Sequence, residues 1–294
     1  LDADKRQGWL MIAAAAILWG TLGPAFKGLG DMGVQPVQVG FWRALLAGSV
    51  FAIWLAARRP ELLRIHPRHL PLFVAYGLVS VAIFFAVYAA AVQLSTVAIA
   101  AVLLYTAPAW VALMAFFFFR EPLTGRKGIA IFLTFVGTAL VAGAYDLGAL
   151  RGNGLGIAAG LASGLTYAAF SIFGKAALRR YQPATAMLYA LAFGAAFLLP
   201  LALRDWGSLV APLGTLSGVA LLLYVGLVPT AGSFILYTTG LQRLNDAGRA
   251  SVIATIEPLV AALLGYLLLG EALAPAQWLG GAFILAGVLA LRGD

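Results

Sequence analysis

A pattern that occurs twice constrains this chain more than any other feature. Tyr88, Gln93, Pro108, Glu121, Leu123 and Gly137 are matched about 149 residues later by Tyr237, Gln242, Pro258, Glu271, Leu273 and Gly287, in a chain of 294 residues. Tyr and Gln are 5 apart in both copies, Pro and Glu 13, and Glu and Gly 16, with one residue inserted between Gln and Pro in the second copy. A period of half the chain predicts two similar units, 1–146 and 147–294, built as one integral body. Both copies lie in long apolar runs, and the chain is 63% hydrophobic and 10% charged. Soluble domains carry about 25% charged residues, so the runs are read as membrane spans.

A bilayer core needs about 20 apolar residues per helix. Ten runs meet that need: 8–28, 36–57, 70–92, 97–119, 127–145, 154–178, 184–203, 214–240, 249–269 and 276–292. The first lacks a small-residue cleavage site and is read as a span, not a signal peptide. The expected fold is all-α, a polytopic membrane protein of ten transmembrane helices, with a Gly-rich seam from Tyr145 to Gly154.

The 19 Lys and Arg support the count. Fourteen fall at the termini and in the connections after the even-numbered spans, two (Arg151 and Arg204) in the alternate connections, and three (Lys27, Arg43, Lys175) within spans or at their ends. The positive-inside rule then places both termini in the cytoplasm. It also accounts for the net charge of +8 without nucleic acid as a partner. Five spans per half is an odd number, so the halves cross the membrane in opposite directions. Such a 5+5 inverted repeat marks secondary transporters. It places Lys27 near the outer face and Lys175 near the inner one.

Other chemistry finds no support. With no cysteine, neither a disulfide nor a thiolate metal site can form. The two histidines, His66 and His69, share a polar loop with Arg64 and Arg68 and are read as solvated, not as metal ligands. No metalloprotease, nucleophile-elbow or Walker-type motif occurs. Neither an enzyme nor a cofactor is expected.

The pattern resembles the drug/metabolite transporter superfamily, in its ten-span EamA-type branch. The residues that carry the likeness are Trp19-Gly20 and Leu104-Tyr105-Thr106-Ala107-Pro108 in the first half. Phe119-Arg120-Glu121-Pro122-Leu123 closes span 4, Gly270-Glu271-Ala272-Leu273 closes span 9, and Ile256-Glu257-Pro258-Leu259 lies in the second repeat. The aromatic-rich interior is similar to that of YddG-type exporters of aromatic and other neutral amino acids. That resemblance implies a central cavity between the halves, alternating access, an amino acid as small-molecule partner and a bacterial inner membrane. The prevalence of Arg over Lys also fits a bacterial source. A monomer is expected, with a dimer as the alternative. Export of drugs or other metabolites on the same scaffold, or a passive channel, are the rival functions.

Candidate site residues follow from depth. Trp19, Tyr88, Tyr105, Trp110, Tyr167 and Tyr237 fall near mid-span, where lipid-facing aromatics are disfavoured and a Tyr hydroxyl needs a partner. Glu257 alone of the 11 acids falls well inside a span. It is either a coupling or substrate-amine site or a structural acid paired with Arg43 or water. Arg43 either attracts a substrate carboxylate or snorkels to the outer interface along Trp42. Pro108 and Pro258 are repeat equivalents and read as paired gating kinks, with fixed kinks as the alternative. Gly137, Gly280 and Gly287 read as close helix contacts. Glu121 and Glu271 are expected to begin the helices that follow them, and Lys27 and Lys175 to be helix-end charges.

Overall fold

The computed structural model describes residues 3–143, 154–269 and 272–291. Ten helices account for most of them: α1 (Ala3–Asp31), α2 (Pro36–Arg58), α3 (Pro67–Leu94), α4 (Ala98–Phe119), α5 (Gly125–Val141), α6 (Gly154–Leu178), α7 (Pro183–Ala202), α8 (Leu216–Leu244), α9 (Ala247–Leu268) and α10 (Pro275–Ala290). Eight are long and apolar enough to cross a membrane, and α10 is a shorter apolar helix. α5, of 17 residues, packs along α10. Most of the seam and all of Glu271 lie outside the described residues. Among the described residues there is no strand.

Local sequence sets the helix ends. Pro36, Pro183 and Pro275 open α2, α7 and α10, where a missing N–H costs nothing. The hydroxyl of Thr124 accepts from Lys127 N at 3.3 Å to cap α5, and the Asp246 carboxylate accepts from Arg249 N at 2.9 Å to cap α9. α4 and α8 end on Arg120 and Asn245, with φ of 59° and 51°. Both are in the left-handed region, which side-chain-bearing residues seldom enter.

Several helices are interrupted at mid-depth. α1 breaks at Thr21, α4 at Tyr105–Thr106 and α9 at Thr255. α3 and α8 each widen into one π-helical stretch, Leu78–Ile83 and Leu227–Gly232, which are 149 residues apart. Carbonyls freed by a break must find donors in a membrane. The hydroxyls of Thr21, Thr106 and Thr255 donate to Leu18 O, Leu103 O and Val252 O at 2.7, 2.6 and 2.6 Å.

The kinks expected at Pro108 and Pro258 fall two to three residues before each proline, at Tyr105–Thr106 and Thr255. Both prolines lie in the first turn of the segment after the break (Ala107–Phe119 and Ile256–Leu269), where N–H groups are unpaired in any helix. Each proline lacks an N–H and crowds the carbonyl four residues back, so it cannot continue the preceding segment and starts the new one.

The two halves meet through reciprocal contacts. A Cβ on Gly137 would lie 2.6 Å from Gly280 O, and one on Gly287 would lie 2.9 Å from Ala130 O. In the repeat numbering, Gly137 matches Gly287 and Ala130 matches Gly280, so the two contacts are one contact seen from each half. Its two ends run oppositely in sequence, so α5 and α10 are antiparallel. α1 lies on α8 as α6 lies on α3: a Cβ on Gly8 meets Gly240 O, and one on Gly156 meets Leu94 O, each at 2.9 Å. α2 packs on α7 between these pairs.

Candidate functional site

The breaks in α1, α4 and α9 surround one small pocket. Its lining includes Trp19, Tyr105, Pro108, Tyr167, Phe170, Ser171, Tyr237, Ser251 and Thr255. About 20 Å³ of it is accessible to the centre of a water molecule. That admits one ordered water or so, not an organic solute. The floor is an aromatic box. Trp19 lies 5.3 Å from Tyr237 and 5.8 Å from Phe234, and Phe170 lies 4.9 Å from Phe234 and 5.8 Å from Tyr237, between ring centres. Ser171 and Tyr237 share a hydrogen bond of 2.7 Å.

A polar layer stands beside the box. Tyr167 Oη donates to Glu257 Oε2 at 3.5 Å, and Tyr105 is a second side-chain partner of this carboxylate. Glu257 sits in the first turn of the segment Ile256–Leu269. Arg43 is buried, not at the interface. Its Nε donates to Thr230 Oγ1 at 2.8 Å, and its guanidinium lies 5.6 Å from the Phe26 ring and 5.3 Å from the Phe85 ring. Thr230 belongs to the π stretch of α8, and its hydroxyl donates to Val225 O at 2.6 Å. The snorkelling alternative therefore fails, and Trp42 instead donates Nε1 to Leu209 O at 3.0 Å.

Of the sequence candidates, Trp19, Tyr105, Tyr167, Tyr237 and Pro108 line the pocket. Glu257 and Arg43 lie in the polar layer. Tyr88 stacks on Phe84 at 6.0 Å near the same layer, while Trp110 packs against the core and its indole N–H has no hydrogen-bond partner among the described residues. Phe170, Ser171, Ser251 and Thr230 were missed. Ser171 falls one turn before Lys175, but an isolated Ser in an apolar run carries no distinctive signal.

Glu121 also departs from expectation. It does not begin α5. Its carboxylate accepts from Ala247 N at 2.9 Å and Gly248 N at 3.2 Å, at the start of α9. Lys175 binds it at 2.7 Å and Lys127 at 3.5 Å, and Lys127 also pairs with Asp246 at 2.9 Å. Lys175 is thus buried, while its repeat counterpart Lys27 is exposed and paired with Asp31 at 3.6 Å. No group of three or more His, Cys, Asp or Glu suited to a metal occurs among the described residues.

The sequence matches the model of the EamA-like transporter family over residues 6–143 and again over 154–293. The chain belongs to the EamA-like transporter family. This EamA-like transporter is 32% identical to an uncharacterized transporter of Archaeoglobus fulgidus, covering 97% of its own chain and 96% of the relative. It is 26% identical to the uncharacterized inner membrane transporter YicL of Salmonella typhimurium, over 99% and 97% of the two chains. A probable terminal-alkyne amino-acid exporter of Streptantibioticus cattleyicolor is 25% identical, over 97% and 92%. A crystal structure 21% identical in sequence superposes with a TM-score of 0.81, over 97% of this chain and 96% of that one, and shares the fold. The EamA-like transporter is thus a multi-pass membrane transporter of the drug/metabolite superfamily.

Proposed function

We propose that this transporter exports neutral, largely hydrophobic or aromatic amino acids, and that its two five-helix halves form an inverted pair working by alternating access. The observation that carries the reading is an aromatic box placed against one carboxylate and one guanidinium. Trp19, Phe170, Phe234 and Tyr237 suit an apolar side chain. Glu257 with Tyr105 and Tyr167 suits an ammonium group, and Arg43 suits a carboxylate. The relative that is named as a probable amino-acid exporter supports this class of substrate. Reciprocal antiparallel contacts between α5 and α10 fit a pseudo-two-fold axis in the membrane plane. The Lys and Arg distribution favours both termini in the cytoplasm, and the relative named as an inner membrane transporter supports a bacterial inner membrane.

The pocket is too small for an amino acid as it stands, so transport requires the broken helices to separate. α4 and α9 bend at equivalent depths, which lets each half open one side of the site. The test is uptake of one labelled amino acid into proteoliposomes, with all common amino acids as competitors. Saturable uptake, competed by hydrophobic and aromatic members and lowered at least tenfold by Trp19→Ala, is expected. Non-saturable flux without competition would sink the amino-acid reading. If Glu257→Gln leaves transport unchanged, the carboxylate does not recognise the substrate.

A further inference from the structure

The buried charges around Glu121 do not belong to the pocket, yet they lie directly beneath it. Ser251 lines the pocket, and its hydroxyl donates to Gly248 O one turn below, at 2.8 Å. Ser171 also lines the pocket, with Lys175 one turn along α6. One turn is about 5.4 Å of helix. The Glu121 carboxylate therefore lies about one helical turn from the pocket, toward the arginine-rich end of the bundle. It comes from the first half, and it is held by Lys175, Ala247 N and Gly248 N of the second.

Backbone geometry points to the same place. Arg120 and Asn245 are the only non-glycine residues with positive φ among the described residues. They immediately precede Glu121 and Asp246. The left-handed turn at Arg120 swings Glu121 away from the axis of α4, and Asn245 offers its carbonyl to Lys175. Strained turns persist where surrounding contacts hold them. Here two of them, one from each half, bring two carboxylates, Glu121 and Asp246, onto the shared cation Lys127.

We propose that Glu121 and Lys175 form a latch between the halves that seals the arginine-rich end, and that the transport cycle breaks and remakes it. The proposal rests on alternating access but not on the identity of the substrate. In the orientation proposed above, this is the cytoplasmic gate. Opening it separates Glu121 from Lys175 and from the start of α9, and exposes Ser251. Lys127 lies on the same half as Glu121 and remains as its counter-charge, so the open state does not strand a bare carboxylate.

The chain contains no cysteine, so Ser251→Cys gives a single reporter. Membranes are prepared with the arginine-rich end facing a membrane-impermeant maleimide, and labelling is timed without substrate. Slow labelling is expected in the parent. Glu121→Gln and Lys175→Gln should each raise the rate at least tenfold, whereas Glu121→Asp, which keeps the charge, should raise it less. Lys175→Gln keeps the Glu121 bonds to Lys127 and α9, and serves if Glu121→Gln fails to fold. Each variant is scored only if monodisperse in detergent. An unchanged rate in a folded Lys175→Gln overturns the latch, as does an equal rise in Glu121→Asp and Glu121→Gln. Because no substrate enters the measurement, failure of the amino-acid reading leaves the outcome intact.

Discussion

At the scale of single residues, Glu121 shows how a charge is kept inside a membrane protein. Burial opposes its ionisation. The hydrogen bond from Lys175 and the backbone N–H of Ala247 outweigh that cost, and the carboxyl is held down to about 2 from an ordinary value of 4.5. The groups facing it are Lys127 from α5, Lys175 from α6, and Asp246 with the N–H groups of Ala247 and Gly248 at the start of α9. A depressed carboxylate contributes stability above its unfolded value, and that contribution is lost as pH falls toward its folded one. The difference in melting temperature between the parent and Glu121→Gln should therefore be constant from pH 5 to 8 and shrink below pH 4. A difference that already shrinks between pH 7 and 5 would show that Glu121 is not held in this way. Removing one partner of a buried pair costs about 3–5 kcal/mol, so the difference should be easily measured. None of this was visible in the sequence. Glu121 and Lys175 are 54 residues apart, and each reads locally as a helix-end charge. Only tertiary packing makes them a pair.

At the scale of elements, the apolar runs gave the helices to within a few residues, because span length is set by bilayer thickness and not by any motif. What they hid was the interior of each span. A proline in an apolar run reads as a kink, but the run does not show that Pro108 and Pro258 start half-helices or that nearby Thr hydroxyls satisfy the freed carbonyls. The π stretches of α3 and α8 carried no signal, since an extra residue in a turn looks like any other apolar residue. Glycine contacts were legible as a type and not as a partner. Gly137 and Gly128 both lie in α5, yet a Cβ on Gly137 would lie 2.6 Å from backbone Gly280 O and one on Gly128 would meet nothing within 4 Å. Backbone cannot rotate away as a side chain can. Gly137→Leu should lower the melting temperature in detergent clearly, since overpacking costs about 1–3 kcal/mol. Gly128→Leu should leave it within error. Equal effects would mean that the α5–α10 contact does not hold the halves together.

At the scale of the whole molecule, the duplication is informative where it is broken. Lys175 and Lys27 are repeat counterparts, but one is buried against Glu121 and the other is exposed beside Asp31. In the alternating cycle proposed above there are two such states, each half adopting in turn the environment the other has now. Lys27 should then lose exposure when Lys175 gains it. A single cysteine at Lys27 measures this from the opposite face. In a transporter that alternates, Lys175→Gln should slow labelling of Lys27→Cys several-fold while speeding that of Ser251→Cys, because opening one end closes the other. In a passive channel the two ends are not coupled, and breaking the latch opens one without closing the other. Labelling of Lys27→Cys would then stay the same or rise. The sign of that one change separates a rocking transporter from a pore, whatever solute either carries.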